Sequence, residues 1–299
     1  MIKDRINRVK VNLRRFGLFN TIKYLFYNGL LKRLNNKLNY ILKNRQYPQN
    51  IIFITSLPKS GSTWLSNMLS DIDGFDLFAP SKWNTYISDK WDDTRWDLTD
   101  NIFTEFSKKL AVIRGHTLAT DSNLKILHDS NIKYIIGVRD PRDKLVSEYY
   151  HSRNFPGHWA HDIANEKSLE EFISYKLETG GFEQETLNWI KEWIDNRNSN
   201  KSMIVKYEDL LSDPTIVVQD IVKFLNFNID KNKINSIIEK HSFKNISGRD
   251  RGESDNKQFV RKGISGEWKT AFSDTQKELF SSIGEDIINK LNYEPTISK

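Results

Sequence analysis

Residues 51–69 read IIFITSLPKSGSTWLSNML, and this stretch decides the fold. Ile51-Ile52-Phe53-Ile54-Thr55 is a β-branched and aromatic run set off by Tyr47-Pro48-Gln49-Asn50, the pattern of a buried strand. Ser56–Ser62 contains Pro58 and Gly61 and reads as a turn, and Thr63–Leu69 resumes helical character. In Pro58-Lys59-Ser60-Gly61-Ser62-Thr63-Trp64 the glycine lets the backbone turn tightly, so that successive N–H groups point at one anion. The following helix N-terminus adds partial positive charge, Ser60, Ser62 and Thr63 offer hydroxyl donors, and Lys59 supplies a full charge. A phosphate or sulfate ester fits such a nest. The Walker pattern differs, because there Gly precedes Lys and Lys precedes Ser/Thr. Here Lys59 precedes Gly61, and Ser56 stands where the earlier glycine is expected.

Three more apolar runs follow outward from this loop. Leu110–Ile113 ends at Arg114-Gly115-His116, Lys133–Val138 ends at Arg139-Asp140-Pro141, and Ser202–Tyr207 is followed by Glu208-Asp209. Helical stretches such as Leu145–Ser152, Ser168–Glu178 and Thr186–Asp195 lie between them. Strand, polar turn and helix in alternation predict an α/β fold with a P-loop-like, mostly parallel sheet and helices on both faces. Ligands of such sheets bind beyond the carboxyl ends of the strands, where this chain carries Lys59, His116, Arg139 and Tyr207. One domain is expected over residues 50–299, behind a basic amphipathic helical extension over 1–49. In that extension Ile6, Val9, Leu13, Phe16, Ile22, Phe26, Leu30, Leu34, Leu38 and Ile41 recur at helical spacing, and the stripe is expected to dock on the domain.

The 299 residues contain no Cys, which excludes disulfides, thiolate metal sites and a Cys nucleophile. Residues 1–50 hold twelve Lys/Arg against the single acid Asp4, while the whole chain is only +6, so the rest is net acidic. Such a segment is a solvated basic face or, over residues 1–45, a peripheral contact with an anionic membrane. No nucleic-acid reading module is recognisable, so nucleic acid is not an expected partner. No apolar run reaches the roughly 18–20 residues of a membrane span, and Met1–Arg15 lacks the apolar stretch of a signal peptide. A cytoplasmic protein is expected.

Three segments in order resemble the cytosolic-type sulfotransferases that use 3'-phosphoadenosine 5'-phosphosulfate (PAPS). The first is the loop 58–64, which in that family grips the 5'-phosphosulfate. The second is Arg139-Asp140-Pro141-Arg142-Asp143-Lys144-Leu145-Val146-Ser147-Glu148-Tyr149-Tyr150-His151, similar to the element for the nucleotide 3'-phosphate. The third is Arg261-Lys262-Gly263-Ile264-Ser265-Gly266-Glu267-Trp268-Lys269, similar to the C-terminal loop that closes on the same phosphate. Tyr207-Glu208-Asp209-Leu210 through Asp213-Pro214 is a weaker fourth match. The resemblance implies that Arg139 and Ser147 meet the 3'-phosphate with Arg261, Lys262 and Gly263, and that Trp64 and Phe243 sandwich the adenine. It implies PAPS as co-substrate and requires no metal.

By the same resemblance His116 is the general base, and an imidazole's ordinary pKa of about 6.5 suits that task near neutral pH. His116 is expected to take the acceptor's proton during in-line attack on sulfur, while Lys59 stabilises charge on the bridging oxygen as 3',5'-bisphosphoadenosine (PAP) leaves. The family usually has Lys-x-His-x-Pro where this chain has Arg114-Gly115-His116-Thr117-Leu118, so Arg114 stands in for an ammonium and the acceptor-side loop differs. Lys269, Ser273, Asp274 and Glu278 depart from the family's dimer motif, which leaves the oligomeric state open. The acceptor's hydroxyl or amine is expected on a small molecule, a carbohydrate or a lipid-linked compound. Trp83, Tyr86, Trp91 and Trp96, then Phe155, Pro156, Gly157, His158 and Trp159, and a rim at Gly180-Gly181-Phe182 are expected to shape its pocket. A phosphotransferase using ATP and magnesium, and a non-catalytic nucleotide-binding protein, stay open as other readings.

Overall fold

Strand β1 (Ile51–Ser56) is buried along its whole length because it lies at the centre of a five-stranded sheet. The computed structural model describes residues 32–78, 84–85, 96–256, 258 and 260–297. With β2 (Asp76–Phe78), β5 (Ala111–Gly115), β6 (Tyr134–Val138) and β7 (Ser202–Lys206), β1 forms a sheet in the order β2-β5-β1-β6-β7. All of its pairings are parallel. The two-residue strands β3 (Asn84–Thr85) and β4 (Trp96–Asp97) pair antiparallel apart from it.

Successive strand residues point to opposite faces, and the two faces feed two cores. Phe53, Ile113 and Ile136 pack on one side with Phe172, Trp193 and Phe280. Ile52, Ile54, Val112 and Ile135 pack on the other with Leu65, Met68 and Ile221. Helices therefore cover both faces, as the alternation of apolar runs predicts. The first core takes α4 (Pro141–Asn154), α6 (Leu169–Glu178), α7 (Asn188–Asn196) and α13 (Asp274–Lys290). The second takes α2 (Ser62–Ser70), α9 (Pro214–Phe224) and α10 (Lys231–Lys240). Helix α4 starts where its chemistry dictates: the Asp140 carboxylate accepts from the Arg142 N–H at 2.9 Å and Pro141 occupies the first turn.

Three expectations meet a different arrangement. Strand β5 runs on through Arg114 and Gly115, because β1 continues alongside and pairs with them through Ile54 and Thr55. Phe182 forms no rim: it is fully buried against Phe280, at 6.0 Å between ring centroids. In α1 (Lys32–Lys43) Leu38 and Ile41 are 53% and 62% exposed instead of docked, whereas Asn36 is buried and Tyr40 packs on the second core. Ile6 to Leu30 of the N-terminal stripe, Trp83, Tyr86, Trp91 and the side chains of Leu34 and Trp96 lie outside the described residues. No helix among the described residues is long and apolar enough to cross a membrane.

Candidate active site

The carboxyl ends of four strands open onto one cavity of about 550 Å³. Each strand end delivers one chemical group: Lys59 after β1, His116 after β5, Arg139 after β6 and Tyr207 after β7. The loop after β1 is held by its own backbone, with the Leu57 N–H on the Gly137 carbonyl at 3.0 Å and the Ser60 N–H on the Leu57 carbonyl at 3.2 Å. Both Lys59 (φ 69°) and Gly61 (φ 75°) are left-handed. For lysine that conformation is a strain of roughly 1–3 kcal/mol, kept only where the surroundings impose it. At Gly61 a Cβ would stand 2.7 Å from the Tyr207 ring, so glycine is required twice over. Helix α2 then begins at Ser62 with no side-chain cap on its first N–H groups, which leaves them for a ligand.

Burial pushes the Lys59 ammonium down, and Arg139 pushes it further, to about 7 from an ordinary 10.5. Arg139 itself is clamped between the two ends of the site. It donates to the Lys59 carbonyl at 3.1 Å and the Ile264 carbonyl at 3.4 Å, and its guanidinium lies 4.4 Å from the centre of the Tyr207 ring. Its Nε has no partner among the described residues.

His116 is half-buried, and its Nδ1 sits 2.7 Å from the Ser56 carbonyl oxygen. A carbonyl only accepts, so Nδ1 carries the proton of the neutral ring and Nε2 carries the lone pair. The next residue anchors this turn, because the Thr117 carbonyl accepts from the Thr55 hydroxyl at 3.2 Å and from the Trp189 and Trp193 indoles at 3.0 Å each. Arg114 donates to the Thr63 hydroxyl, which ties the end of β5 to the loop after β1.

The C-terminal loop completes the wall. Arg261 and Lys262 both hold Glu267: Arg261 Nη1 donates to it at 2.9 Å, Arg261 Nη2 donates to the other carboxylate oxygen, and Lys262 Nζ donates at 2.7 Å. Against the effect of burial, these two cations keep Glu267 below the usual carboxylate range. The Asp143 carboxylate accepts from the Gly266 and Trp268 N–H groups at 2.5 and 2.9 Å and fastens the loop to the first turn of α4. Buried Arg142 pairs with Asp140 at 2.7 Å and lies 3.7 Å from the Trp268 ring centre, so it is scaffold and not site. Gly263 (φ 63°) passes so close to Phe243 that a Cβ would lie 2.3 Å from its Cδ2. Gly263→Ala is expected to displace the ring, to weaken PAP about tenfold or more by titration calorimetry, and to lower the melting temperature by an amount matching roughly 1–3 kcal/mol of backbone strain.

Of the residues expected at the site, Lys59, Gly61, Ser62, Thr63, Trp64, Arg114, His116, Arg139, Ser147, Tyr207, Phe243, Arg261, Lys262 and Gly263 all line this cavity. Ser60 does not: its hydroxyl is buried and has no partner among the described residues. Trp64 is fixed by its indole N–H on the His241 carbonyl at 2.7 Å and faces the cavity together with Phe243. Sequence reasoning missed Trp189, Trp193 and Glu267. It also missed a buried ionic network in which Glu148 meets Lys144 at 2.5 Å and Lys176 at 3.4 Å, and Lys176 meets Glu185 at 2.6 Å. Lys144 and Glu148 reach the cavity wall.

The sulfotransferase domain family matches residues 49–292. Sulfotransferase 2B1 of Mus musculus is 28% identical over 245 residues, 78% of this chain and 69% of that protein. A 3-beta-hydroxysteroid sulfotransferase of Cavia porcellus is 25% identical over 241 residues, 77% and 80% of the two chains. Among solved structures, mouse sulfotransferase SULT7A1 complexed with PAP superposes with a TM-score of 0.60 at 20% identity, covering 85% of this chain and 92% of that one. At that identity the superposition speaks for the fold.

Proposed function

This chain belongs to the sulfotransferase family, and from that premise we propose that it moves the sulfuryl group of PAPS to a hydroxyl or amine with His116 as base. The observation that carries the proposal is the convergence of Lys59, His116 and two separate cationic cradles on one cavity. In this reading the uncapped N–H groups of α2, with Ser62, Thr63 and Lys59, take the 5'-phosphosulfate end. Arg139, Ser147, Arg261 and Lys262 take the 3'-phosphate, with Gly263 allowing the loop to close, and Trp64 and Phe243 flank the adenine. Tyr207 supports the stacked Arg139. Ser60 serves the loop's own fold, through its N–H on the Leu57 carbonyl.

As the acceptor's oxygen or nitrogen forms its bond to sulfur, His116 Nε2 takes its proton. The bond from sulfur to the bridging oxygen breaks, Lys59 donates to that oxygen, and PAP departs. Arg114 offers charge to the sulfuryl oxygens. The acceptor is a small molecule, a carbohydrate or a lipid-linked compound. Division into an extension over 1–49 and a domain over 50–299 is supported by the start of β1 at Ile51. The basic charge of residues 1–45 supports peripheral contact with an anionic membrane from the cytoplasmic side.

Calorimetric titration with PAP and ATP, with and without magnesium, tests the nucleotide assignment. PAP is expected to bind without magnesium at least about a hundredfold more tightly than ATP, since two cradles require two anionic ends. Tighter binding of ATP, dependent on magnesium, would favour a phosphotransferase.

A further inference from the structure

Helix α2 meets His241 twice. Trp64 lies in its first turn and Asp71 caps its carboxyl end, and at a spacing of seven the two share one face, two turns apart. The Trp64 indole N–H donates to the His241 carbonyl at 2.7 Å, and His241 Nε2 donates to the Asp71 carboxylate at 2.7 Å. Lys240 adds its ammonium to the same carboxylate oxygen at 2.6 Å. Against the effect of burial, Lys240 and His241 hold Asp71 below the usual carboxylate range. A carboxylate at this end of a helix faces the negative end of the dipole. Asp71 is therefore poorly chosen for α2 alone, and its two partners from one neighbouring segment account for it.

That segment leads straight to the second ring of the cavity. His241 ends α10, Ser242 caps α11 (Phe243–Ser247) by accepting from the Asn245 N–H at 3.3 Å, and Phe243 opens α11 with its buried ring on the cavity wall. Three consecutive residues thus carry the tie to Asp71, the helix cap and a ring that lines the cavity with Trp64. Neither Asp71 nor His241 lines the cavity itself.

We propose that Asp71 and His241 are positioning residues that set the gap between Trp64 and Phe243, and so govern recognition of the nucleotide's base and not of its phosphates. The inference rests on the PAPS reading of the same cavity. A planar base held between two rings needs one fixed spacing, because dispersion attraction falls steeply over a fraction of an ångström. The two rings belong to segments distant in sequence, and the Asp71–His241 pair joins those segments outside the cavity. The first turn of α2 is held separately, by the close approach of Gly61 to Tyr207 and by Arg114 on Thr63. A loosened carboxyl end of α2 therefore reaches the base before it reaches the 5'-phosphate end.

The full chain is to be titrated calorimetrically with PAP and with the base-free 3,5-bisphosphate of 1-deoxyribose. Asp71→Ala is expected to weaken PAP about tenfold, within the roughly ten- to hundredfold that a base stacked on an aromatic ring is worth, and to leave the base-free compound within about twofold. In sulfate transfer KM for PAPS should rise by about the same factor, while kcat at saturating PAPS holds within about twofold. A Trp64→Ala background separates positioning from general loosening. There Asp71→Ala is expected to cost PAP no more than about threefold, because the ring it positions is gone. His241→Leu, which keeps the backbone carbonyl and removes the bond to Asp71, serves as the second variant and is expected to follow the same pattern. Equal losses for both ligands, an undiminished loss in the Trp64→Ala background, or unchanged PAP affinity in both single variants overturns the proposal and leaves the PAPS reading standing. Failure of the wild type to bind PAP overturns that reading, and the proposal with it.

Discussion

His116→Ala is expected to bind PAP within about threefold of the wild type and to lose turnover by about two to four orders of magnitude. The two effects separate because, in the proposed mechanism, the imidazole serves the acceptor and its removal leaves both cationic cradles in place. The hydrogen bond from Nδ1 to the Ser56 carbonyl dictates which nitrogen is lost. Nε2 is the lone-pair nitrogen, so proton transfer is what the alanine cannot do. His116→Gln offers an amide but no base and should be nearly as inactive, which separates a proton acceptor from a hydrogen-bonding group. Single-turnover transfer of labelled sulfate reads the chemical step, and titration calorimetry reads binding. Turnover within tenfold of the wild type removes His116 from the base role.

Lys59→Met should damage binding and chemistry together, with PAP about a hundredfold weaker and kcat lower by about two orders of magnitude. In the proposed mechanism its ammonium meets the nucleotide in the ground state and the leaving oxygen in the transition state. The same residue makes binding depend on pH with a definite sign. Burial and Arg139 hold the free lysine at about 7, so above neutrality the empty site is mostly unprotonated. A bound anion favours the ammonium and raises that pKa, so binding takes up a proton at pH values between the two. PAP affinity should therefore fall as pH rises from about 7.5 to 9, by up to about tenfold per unit. Calorimetry at pH 8.5 in two buffers of different ionisation enthalpy should show close to one proton taken up by the wild type and none by Lys59→Met. Equal uptake in both assigns the proton elsewhere.

The parts of the site carried by contiguous sequence were legible. A β-branched run, a Gly-containing turn and a helix start are local patterns, and they placed Lys59, Gly61 and the beginning of α2 correctly. Strand ends are local too, so His116 and Arg139 could be located from apolar runs that stop at a charged residue. What escaped was set by contacts between distant segments. Lys144, Glu148, Lys176 and Glu185 are spread over three elements, and nothing in their spacing announces that the carboxylates and ammoniums meet inside the protein. Trp189 and Trp193 show the four-residue spacing of a buried helical face, which tells of packing but not of indoles aimed at the Thr117 carbonyl. Phe182 was misplaced on the strength of Gly180-Gly181, a loop signal that says nothing about the Phe280 ring arriving from α13. The exposed Leu38 and Ile41 show the converse, since a stripe at helical spacing does not say what covers it.

Glu267 gives the resting loop a property of its own. With Arg261 and Lys262 both on its carboxylate, one of the two positive charges of this loop is balanced within the loop itself. An anion that takes these two cations has to compete with a monovalent carboxylate, so chloride or a simple organic acid is expected to gain little by doing so. A dianionic ester gains a full extra charge from the same swap. Competition for Arg261 and Lys262 is therefore expected to favour concentrated negative charge over a lone one.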